Sequence, residues 1–261
     1  MARRQIRGAR AIVTGASSGI GRELARELAR EGARLLVTAR REDRLRDLCR
    51  ELQHTGAEAR FVAGDVADRG LRQRLVDAAR SAWGALDILV NNAGIGGIGP
   101  FLQADESRLR RIMEVNFFAP AEMIRAAFPL LRHGRRPAIV NVGSVLGHRA
   151  VPQKSEYCAS KFALHGFSDA LRAELAPMGI HVLLVSPSTT QSEFLDHALE
   201  PPPRPPAPAM RGMPARAVAR LAIRALRRGS HEIILTPGGK LLVWLDRLCP
   251  SLMDRLVARF G

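Results

Sequence analysis

The stretch Ala11-Ile12-Val13-Thr14-Gly15-Ala16-Ser17-Ser18-Gly19-Ile20-Gly21 joins a short apolar run to a glycine-rich turn. The apolar run predicts a strand, and a helix is predicted to follow over residues 22–30. Glycine permits a tight turn and lets a ligand approach the backbone closely, while the first N–H groups of a helix attract phosphate. A glycine triplet between the first strand and the first helix therefore predicts dinucleotide binding, with a plain glycine turn as the alternative.

The same alternation of short apolar runs and longer amphipathic stretches continues along the chain. Strands are predicted at residues 11–13, 35–37, 61–62, 88–90, 138–142, 181–185 and 232–235. Helices are predicted at residues 22–30, 42–52, 71–82, 106–131 and 155–176. Strands that are apolar on both faces and alternate with helices indicate a parallel sheet covered on both sides. The predicted fold class is α/β, a doubly wound Rossmann-like fold with about seven parallel strands and helices on both faces.

Length and cysteine content limit the class of protein. The 261 residues suit one domain, residues 1–261. No stretch reaches the roughly 18 apolar residues of a membrane-spanning helix, and residues 1–10 lack the apolar core of a signal peptide. The three cysteines, Cys49, Cys158 and Cys249, are scattered and do not have the spacing of metal ligands. We therefore expect a cytoplasmic protein, and the sequence predicts no metal site.

The formal net charge of +15 raises nucleic acid or an anionic membrane as partners. The arginines are spread along the whole chain, however, and only 5% of the residues are aromatic side chains that could stack on bases. Nucleic-acid binding is therefore not the expected function. Weak attraction to phosphate-bearing ligands or to lipid surfaces is expected instead.

The end of the second predicted strand bears on the choice of cofactor. NAD-preferring folds of this kind tend to carry an acidic residue here that binds the ribose hydroxyls. This chain has Ala39 followed by Arg40 and Arg41, with no carboxylate to repel a 2′-phosphate. The planar, permanently charged guanidinium of Arg40 suits that phosphate. The sequence predicts NADP(H) in preference to NAD(H), with a solvated arginine in an arginine-rich chain as the alternative.

Tyr157 is the only tyrosine, and Lys161 is one of three lysines. On a helix, a spacing of four places both side chains on one face. An ammonium beside a phenol favours the phenolate, so Lys161 is expected to lower the pKa of Tyr157. The pair predicts an acid–base site, with a chance pairing on a solvated helix as the alternative.

These motifs occur together in an order that resembles the short-chain dehydrogenase/reductase superfamily, in its shorter single-domain type. The resemblance runs from about Arg10 to Phe194. It rests on TGxxxGxG at residues 14–21, Asp65-Val66, Asn91-Asn92-Ala93-Gly94, Asn116, Ser144, and the Tyr157–Lys161 pair.

The resemblance implies the role of each candidate catalytic residue. Tyr157 is expected to protonate a carbonyl oxygen, or to accept the proton in the reverse direction. Ser144 is expected to hold that oxygen, and Lys161 to assist Tyr157 and bind the nicotinamide ribose. Asn116 is expected to hold a helix kink and a proton relay that begins at Lys161.

The resemblance also implies the cofactor contacts. They are Gly15, Ser17, Ser18, Gly19, Ile20, Gly21, Arg40, Arg41, Asp65, Val66, Asn92, Ala93, Gly94, Tyr157, Lys161, Pro187, Thr190 and Ser192. One departure from the family pattern is Ser188, which stands where the family often has glycine. A positive φ costs serine more free energy than glycine. The sequence therefore predicts how the nicotinamide end of the cofactor binds less firmly than how the phosphate end binds.

The implied function is an NADP(H)-dependent oxidoreductase that interconverts a ketone or aldehyde and the corresponding alcohol, with a small-molecule, lipophilic substrate. A homodimer or homotetramer is the expected assembly. A non-catalytic NADP-binding sensor or scaffold is the main alternative, although such a protein has no need of an intact Ser–Tyr–Lys–Asn set. A sugar-nucleotide epimerase or dehydratase is a further alternative, disfavoured by the short length and the TGxxxGxG spacing.

Two segments depart from the alternating pattern. Residues 187–213 are interpreted as a substrate-side loop whose Pro-rich stretch, 200–209, is stiff and extended. A ligand for a proline-reading domain is the alternative for that stretch. Residues 238–261 form an amphipathic C-terminal segment. Its apolar side chains are expected to cover the substrate cleft or a partner subunit, or to lie on an anionic membrane as a peripheral contact.

Overall fold

The computed structural model describes residues 4–194, 199 and 212–260. Its centre is a parallel sheet of seven strands in the order β3-β2-β1-β4-β5-β6-β9. These strands are β1 Arg10–Thr14, β2 Arg34–Ala39, β3 Ala59–Ala63, β4 Ile88–Asn91, β5 Ala138–Val142, β6 His181–Ser186 and β9 Glu232–Ile234. Two short strands, β7 Thr190–Gln191 and β8 Met213–Pro214, pair with each other outside this sheet.

Helices cover both faces of the sheet. They are α1 Gly19–Arg30, α2 Glu42–His54, α3 Arg69–Trp83, α4 Glu106–Met113, α5 Ala119–Arg132, α6 Ser155–Leu175, α7 Ala215–Arg228, α8 Pro237–Leu248 and α9 Pro250–Phe260. Single turns of 3₁₀-helix lie at Phe101–Gln103, Val145–Gly147 and Ala176–Met178. The fold is therefore the α/β Rossmann-like fold that the sequence predicts.

Neighbouring residues of β1 show how the two layers form. Side chains of successive strand residues point to opposite faces. Val13 packs with Leu24 of α1 in one buried cluster, which also includes side chains from α2 and α7. Ile12 packs with Leu75 of α3 in the other cluster, to which α5 and α6 contribute. Strands buried on both faces need apolar residues at every position, which is why these strands lack polar alternation.

The long helix predicted over residues 106–131 is interrupted in the structure. α4 ends at Met113, one π-helical stretch follows at Glu114–Phe118, and α5 begins at Ala119. The wider π turn shifts the side chains that follow it around the helix axis. No bounds are predicted for α7 or for the β7–β8 pair. Each of these two strands has only two residues, which is too short for a sequence pattern, and the proline-rich stretch separates them.

The direction in which strands are added to the sheet reverses between β1 and β4. The chain runs from β1 outward to β3, then crosses back so that β4 pairs with the other side of β1. In open α/β sheets, ligands bind beyond the carboxyl ends of the strands at such a reversal. The carboxyl ends of β1 and β4 are therefore the place to examine for a site.

The two predicted segments outside the alternating pattern are described unequally. The Pro-rich stretch 200–209 and residues 195–198 lie outside the described residues. The C-terminal segment forms α8 and α9, which meet at Pro250. None of the helices within the described residues is long and apolar enough to cross a membrane.

Candidate active site

The turn between β1 and α1 uses backbone conformations that favour glycine. Gly15 has φ of 67° and Gly19 has φ of 53°. A Cβ on Gly15 would lie 2.8 Å from Cα of Ala93, and one on Gly21 would lie 2.3 Å from Nδ2 of Asn92. The turn therefore fits closely against the residues that follow β4 only because these positions lack side chains.

Hydrogen bonds join the carboxyl ends of β1 and β4. Thr14 Oγ1 accepts from the backbone amides of Asn92 at 3.0 Å and Ala93 at 3.1 Å. The Asn92 side chain donates back to the Thr14 carbonyl at 2.9 Å. Ile20, at the start of α1, packs against the buried cluster on that face of the sheet. Thr14, which is not among the predicted site residues, therefore holds both loops together.

Arg41 lies across the start of α1. The Ser18 side chain does not cap that helix. Its hydroxyl accepts instead from Arg41 Nη2 at 2.8 Å, and Ser17 Oγ accepts from the same nitrogen at 3.2 Å. Arg40, by contrast, is exposed. Of the two predicted arginines, the structure therefore brings Arg41 to the turn.

Asp65 and Val66, two of the predicted cofactor contacts, follow β3. Asp65 accepts from the Ala67 amide at 3.0 Å and pairs with Arg111 of α4. Burial raises the pKa of Asp65, but the Ala67 amide and Arg111 outweigh it, so the net shift is downward. Val66 packs partly buried beside the cores. The Arg111 contact joins residues far apart in the chain, and no local sequence signal indicates it.

Ser144, Tyr157 and Lys161 come together beyond the carboxyl end of β5. The Tyr157 hydroxyl lies near the Ser144 side chain, which acts to lower the pKa of the phenol. Lys161 lies one turn further along α6, where its Nζ donates to the Val142 carbonyl at 3.0 Å. That Nζ lies 5.7 Å from the centroid of the Tyr157 ring. The arrangement puts a phenol, a hydroxyl and an ammonium group at one place.

Burial controls the ionisation of this site. Burial raises the pKa of Tyr157 to about 12, and the nearby Ser144 side chain opposes that rise only partly. Burial also lowers the pKa of Lys161 to about 8. The expected lowering of the Tyr157 pKa by Lys161 is therefore wrong for this arrangement. The ammonium group is directed at Val142, while both side chains lose the water that would stabilise their charged forms.

Asn116 lies in the π-helical stretch between α4 and α5. Its Oδ1 accepts from the Ile95 amide at 2.9 Å, and its Nδ2 donates to the Ile95 carbonyl at 2.9 Å. Nδ2 also donates to Ser160 Oγ at 2.9 Å. A Cβ on Gly94 would lie 3.2 Å from Asn116 Oδ1 and 3.7 Å from Lys161 Nζ. The irregular helix thus aims Asn116 at the loop after β4 and at α6, close to Lys161.

The segment after β6 extends across the site. The Pro187 carbonyl accepts from the Val145 amide at 2.9 Å, beside Ser144. The Phe194 ring packs edge-on against Tyr157 with 5.7 Å between centroids. Further on, the Leu199 amide donates to the Gly96 carbonyl at 2.8 Å. The segment therefore links the loops after β5 and β4 and shields Tyr157 from one side.

The polar residues of that segment approach the glycine turn. Ser192 lies so close to Gly19 that a Cβ there would be 3.0 Å from the Ser192 Cβ. Thr190 Oγ1 donates to the Ser188 carbonyl at 3.0 Å. Among the described residues other than glycine, only Arg136 and Gln153 have positive φ. Ser188 therefore does not have a positive φ, and serine in place of glycine causes no backbone strain at this position.

Glu193 connects the same segment to the arginines after β2. Its carboxylate accepts from Arg41 Nη1 at 2.8 Å and lies 3.7 Å from Arg44. Glu193 is not among the predicted site residues, because nothing local indicates that it meets Arg41, 152 positions earlier. The contact gives the mouth of the glycine turn a carboxylate as well as a guanidinium group.

The C-terminal helices attach to the turn that follows Ser144. A Cβ on Gly239 of α8 would lie 2.9 Å from Val145. Arg149 donates to Asp246 of α8 and Asp254 of α9, each at 2.7 Å. Val243 and Met253 are buried. Outward-facing large apolar side chains on the two helices are Leu241, Trp244, Leu245, Leu248, Leu252 and Leu256. Most of the apolar stripe therefore does not cover the chain's own cleft.

Residues 9–202 match the family of short chain dehydrogenases. The dehydrogenase/reductase SDR family member 7B of Bos taurus is 31% identical over 267 residues, which cover 98% of this chain and 82% of that protein.

Two solved structures extend the comparison. A short chain dehydrogenase/reductase from Burkholderia phymatum, in complex with NAD, has a TM-score of 0.86 and 27% identity over 95% of this chain and 96% of its own. An alcohol dehydrogenase from the archaeon Thermococcus sibiricus, complexed with 5-hydroxy-NADP, has a TM-score of 0.78 and 25% identity over 87% of this chain and 95% of its own.

Proposed function

Because this chain belongs to the short-chain dehydrogenase family of oxidoreductases, we propose that it uses NADP(H) to interconvert a ketone or aldehyde and the corresponding alcohol. The observation that carries the proposal is that the Ser144 and Tyr157 hydroxyl groups lie near each other, with Lys161 one helical turn away. Two hydroxyl groups that meet in a buried place can bind one carbonyl oxygen between them.

The residues around the β1–α1 turn fit a dinucleotide. A Cβ at Gly15 or Gly21 would collide with neighbouring atoms, and the start of α1 is not capped by the Ser18 side chain. Helix N–H groups that lack a capping side chain favour a phosphate. When bound, the cofactor supplies the hydride. The residues assigned to hold it are Gly15, Ser17, Ser18, Gly19, Ile20, Gly21, Asp65, Val66, Asn92, Ala93, Gly94, Pro187, Thr190 and Ser192.

The preference for NADP(H) rests on the arginines after β2. Arg41 reaches Ser17 and Ser18 at the turn, and Arg40 lies exposed beside it. Both side chains are permanent cations, and a guanidinium group matches the geometry of a phosphate. We assign Arg41 as the main contact of the 2′-phosphate and Arg40 as a secondary one.

Tyr157 acts as the general acid in carbonyl reduction. With a pKa of about 12 it is protonated at neutral pH, which is the form that donates a proton to the carbonyl oxygen. Ser144 donates a hydrogen bond to the same oxygen and holds it against Tyr157. In alcohol oxidation the phenolate accepts the proton, so that direction gains from high pH.

Lys161 and Asn116 support Tyr157 from within the fold. Lys161, with a pKa of about 8, is mostly protonated at neutral pH and lies near the place assigned to the nicotinamide ribose. Asn116 holds the Ile95 backbone and Ser160, whose hydroxyl in turn donates to the Tyr157 carbonyl at 2.7 Å. Asn116 thereby fixes the first turn of α6, and we assign it to the proton path from Lys161.

The substrate is proposed to be a lipophilic carbonyl compound. Apolar side chains lie beside both residues: Val145 follows Ser144, and the Phe194 ring packs on Tyr157. Leu199, on the same segment as Phe194, packs beside Ile95. An apolar compound with one carbonyl group suits such a lining.

Two exposed apolar surfaces bear on subunit assembly and on membrane contact. Phe118 and Phe162, on neighbouring helical elements, are 48% and 43% exposed, which supports a homodimer or homotetramer. The outward stripe of α8 and α9 supports a peripheral membrane contact. The two acidic residues of this segment, Asp246 and Asp254, both bond to Arg149 of the body. The segment therefore presents mainly positive charge beside the stripe, from Lys240, Arg247 and Arg255. This charge would attract an anionic lipid surface.

A panel of ketones and aldehydes of increasing size, followed by NADPH absorbance, tests the function. We expect turnover of bulky apolar carbonyl compounds with NADPH, and slower turnover with NADH. Tight NADPH binding without turnover of any panel member would contradict the proposal and favour a sensor.

A further inference from the structure

Two histidines and a glutamate meet beneath the Ser144 turn. They are His148, which follows the turn, His165 of α6, and Glu232 at the start of β9. One potential ligand atom from each lies within 4.8 Å of the other two. The cluster is not one of the predicted site features, because its members are distant in sequence.

The hydrogen bonds of His148 leave the ring incompletely satisfied. Its Nε2 lies 2.9 Å from Glu232 Oε1 and 3.0 Å from Ser186 Oγ. Its Nδ1 is buried with no hydrogen-bond partner among the described residues, and the side chain is 3% exposed. No protonation state of His148 therefore gives both nitrogens a partner. The nitrogen that faces Glu232, and could share an ion with it, is Nε2.

His165 shows the arrangement of a metal-binding imidazole. Its Nδ1 lies 3.0 Å from the Gly147 carbonyl, which can only accept, so this nitrogen carries the proton. In the neutral ring, Nε2 then has a free lone pair. A backbone carbonyl that fixes the tautomer in this way is the usual outer partner of a histidine ligand.

The two rings and the carboxylate are close enough to share one ion. The ring centroids of His148 and His165 lie only 4.3 Å apart. Glu232 Oε1 lies 2.9 Å from His148 Nε2. Asp169 lies 3.4 Å from His165 Nε2 and adds a second carboxylate.

We propose that His148, His165 and Glu232 bind a divalent transition metal ion, with zinc as the best match. Two imidazole nitrogens and one carboxylate oxygen are a donor set that zinc uses. Zinc bonds of about 2.0–2.2 Å place tetrahedral ligands about 3.4 Å apart, so side-chain rotations close the observed cluster around the ion. Asp169 or water fills the fourth position.

The ion would join three parts of the fold. His148 belongs to the turn after Ser144, His165 to the helix of Tyr157 and Lys161, and Glu232 to the edge strand β9. Tyr157, Lys161, His165 and Asp169 follow one another at four-residue intervals on α6, so the ion lies one turn below Lys161. The metal holds the turn of Ser144 against α6 and takes no part in the proton transfer.

Zinc binding is measured on the full chain without a histidine tag, in a Cys249→Ser background, since Cys249 is the exposed thiol. After chelator treatment, calorimetric titration with Zn²⁺ is expected to show one ion per chain, and Tm to rise with zinc concentration. Co²⁺ is expected to give the d–d absorption of a nitrogen-ligated, four-coordinate ion. His148→Gln and His165→Gln are each expected to weaken Zn²⁺ binding more than about 10-fold.

His133→Gln is the matched control, because His133 is exposed and far from the cluster, and it is expected to bind Zn²⁺ as the parent does. Absence of saturable Zn²⁺ binding by the folded parent chain would overturn the proposal, whatever the variants do. Equal Zn²⁺ affinity in the parent and in a folded His148→Gln or His165→Gln variant would overturn it as well.

Discussion

Tyr157 is the one tyrosine of the chain, so its ionisation can be followed without another phenol. Burial places its pKa at about 12, whereas an ordinary tyrosine titrates near 10. The pKa of Tyr157 therefore shows which of two opposing effects is larger, the nearby Lys161 ammonium group or the loss of hydration.

We expect the ultraviolet absorbance of phenolate to be absent in the cofactor-free protein up to pH 10. The same chain unfolded in denaturant is expected to be about half ionised there, since its phenol has the ordinary pKa of about 10. Half ionisation of the folded protein at or below pH 10 would show that Lys161 outweighs burial. Circular dichroism at each pH confirms that the chain is still folded.

Arg41 decides the cofactor preference in this account. Arg41→Ala removes a charge-assisted contact worth about 1.5–3 kcal/mol, so NADPH affinity is expected to fall about 10- to 100-fold. NADH affinity is expected to change little. Arg40→Ala is expected to have a smaller effect, and Arg46→Ala, on the exposed face of α2, none.

Glu193→Gln tests the same contact from the opposite side. Glu193 binds Arg41 and would compete with a 2′-phosphate, so the variant is expected to bind NADPH more tightly than the parent. Fluorescence titration with both cofactors measures these affinities. Tighter binding of NADH than NADPH by the parent, or equal losses of both in Arg41→Ala, would contradict the assignment.

At the scale of elements, the strands and their order of appearance could be predicted because the apolar runs are local and continuous. Residues 138–142 are an example, since prediction and strand coincide. The glycine turn could be predicted for the same reason. The irregular helix at Asn116 is expected only from the family resemblance, which implies a kink there, because its bond to Ile95 joins residues distant in sequence. Whether Arg40 or Arg41 faces the turn depends on how the chain enters α2, which composition does not reveal.

The start of α6 is held by a buried ion pair that is also invisible in the sequence. Arg108 of α4 and Glu156, next to Tyr157, are 3% and 2% exposed and lie 2.6 Å apart. Glu156→Gln leaves the guanidinium group without its carboxylate, so we expect the free energy of unfolding to fall by about 3–5 kcal/mol. Urea denaturation measures it.

Glu106→Gln is the matched control for that change, because Glu106 and Arg110 form an exposed pair on the same helix. Exposed pairs contribute about 0–1 kcal/mol, so this variant is expected to unfold close to the parent midpoint. A loss in Glu156→Gln no larger than in Glu106→Gln would show that the buried pair does not hold α4 against α6.

At the scale of the whole molecule, the surface is strongly basic and one apolar face is exposed at the C-terminal end. We expect the protein to pellet with anionic vesicles and to remain in solution with neutral ones. Trp244→Ala combined with Leu248→Ala is expected to reduce pelleting several-fold, because both side chains lie on the exposed stripe. Leu102→Ala, which removes an exposed leucine elsewhere, serves as the control.

Size-exclusion chromatography tests the alternative that the exposed stripe is a subunit interface rather than a membrane contact. A parent protein that ignores anionic vesicles, together with a smaller assembly in the double variant, would show that the stripe is a subunit interface. Ending the chain at Gly239 is expected to reduce turnover of bulky carbonyl compounds more than NADPH affinity, since Arg149, in the segment after Ser144, loses its bonds to Asp246 and Asp254.

The central claim is that Tyr157 gives its proton to a substrate carbonyl. The most direct measurement compares single-turnover NADPH oxidation by the parent and by Tyr157→Phe, each saturated with cofactor and with the best carbonyl compound of the panel. The variant keeps the ring against Phe194 and loses only the donor, so we predict a rate at least about 100-fold lower, with NADPH affinity unchanged. A rate within a few-fold of the parent would contradict the account, because some other group would then supply the proton.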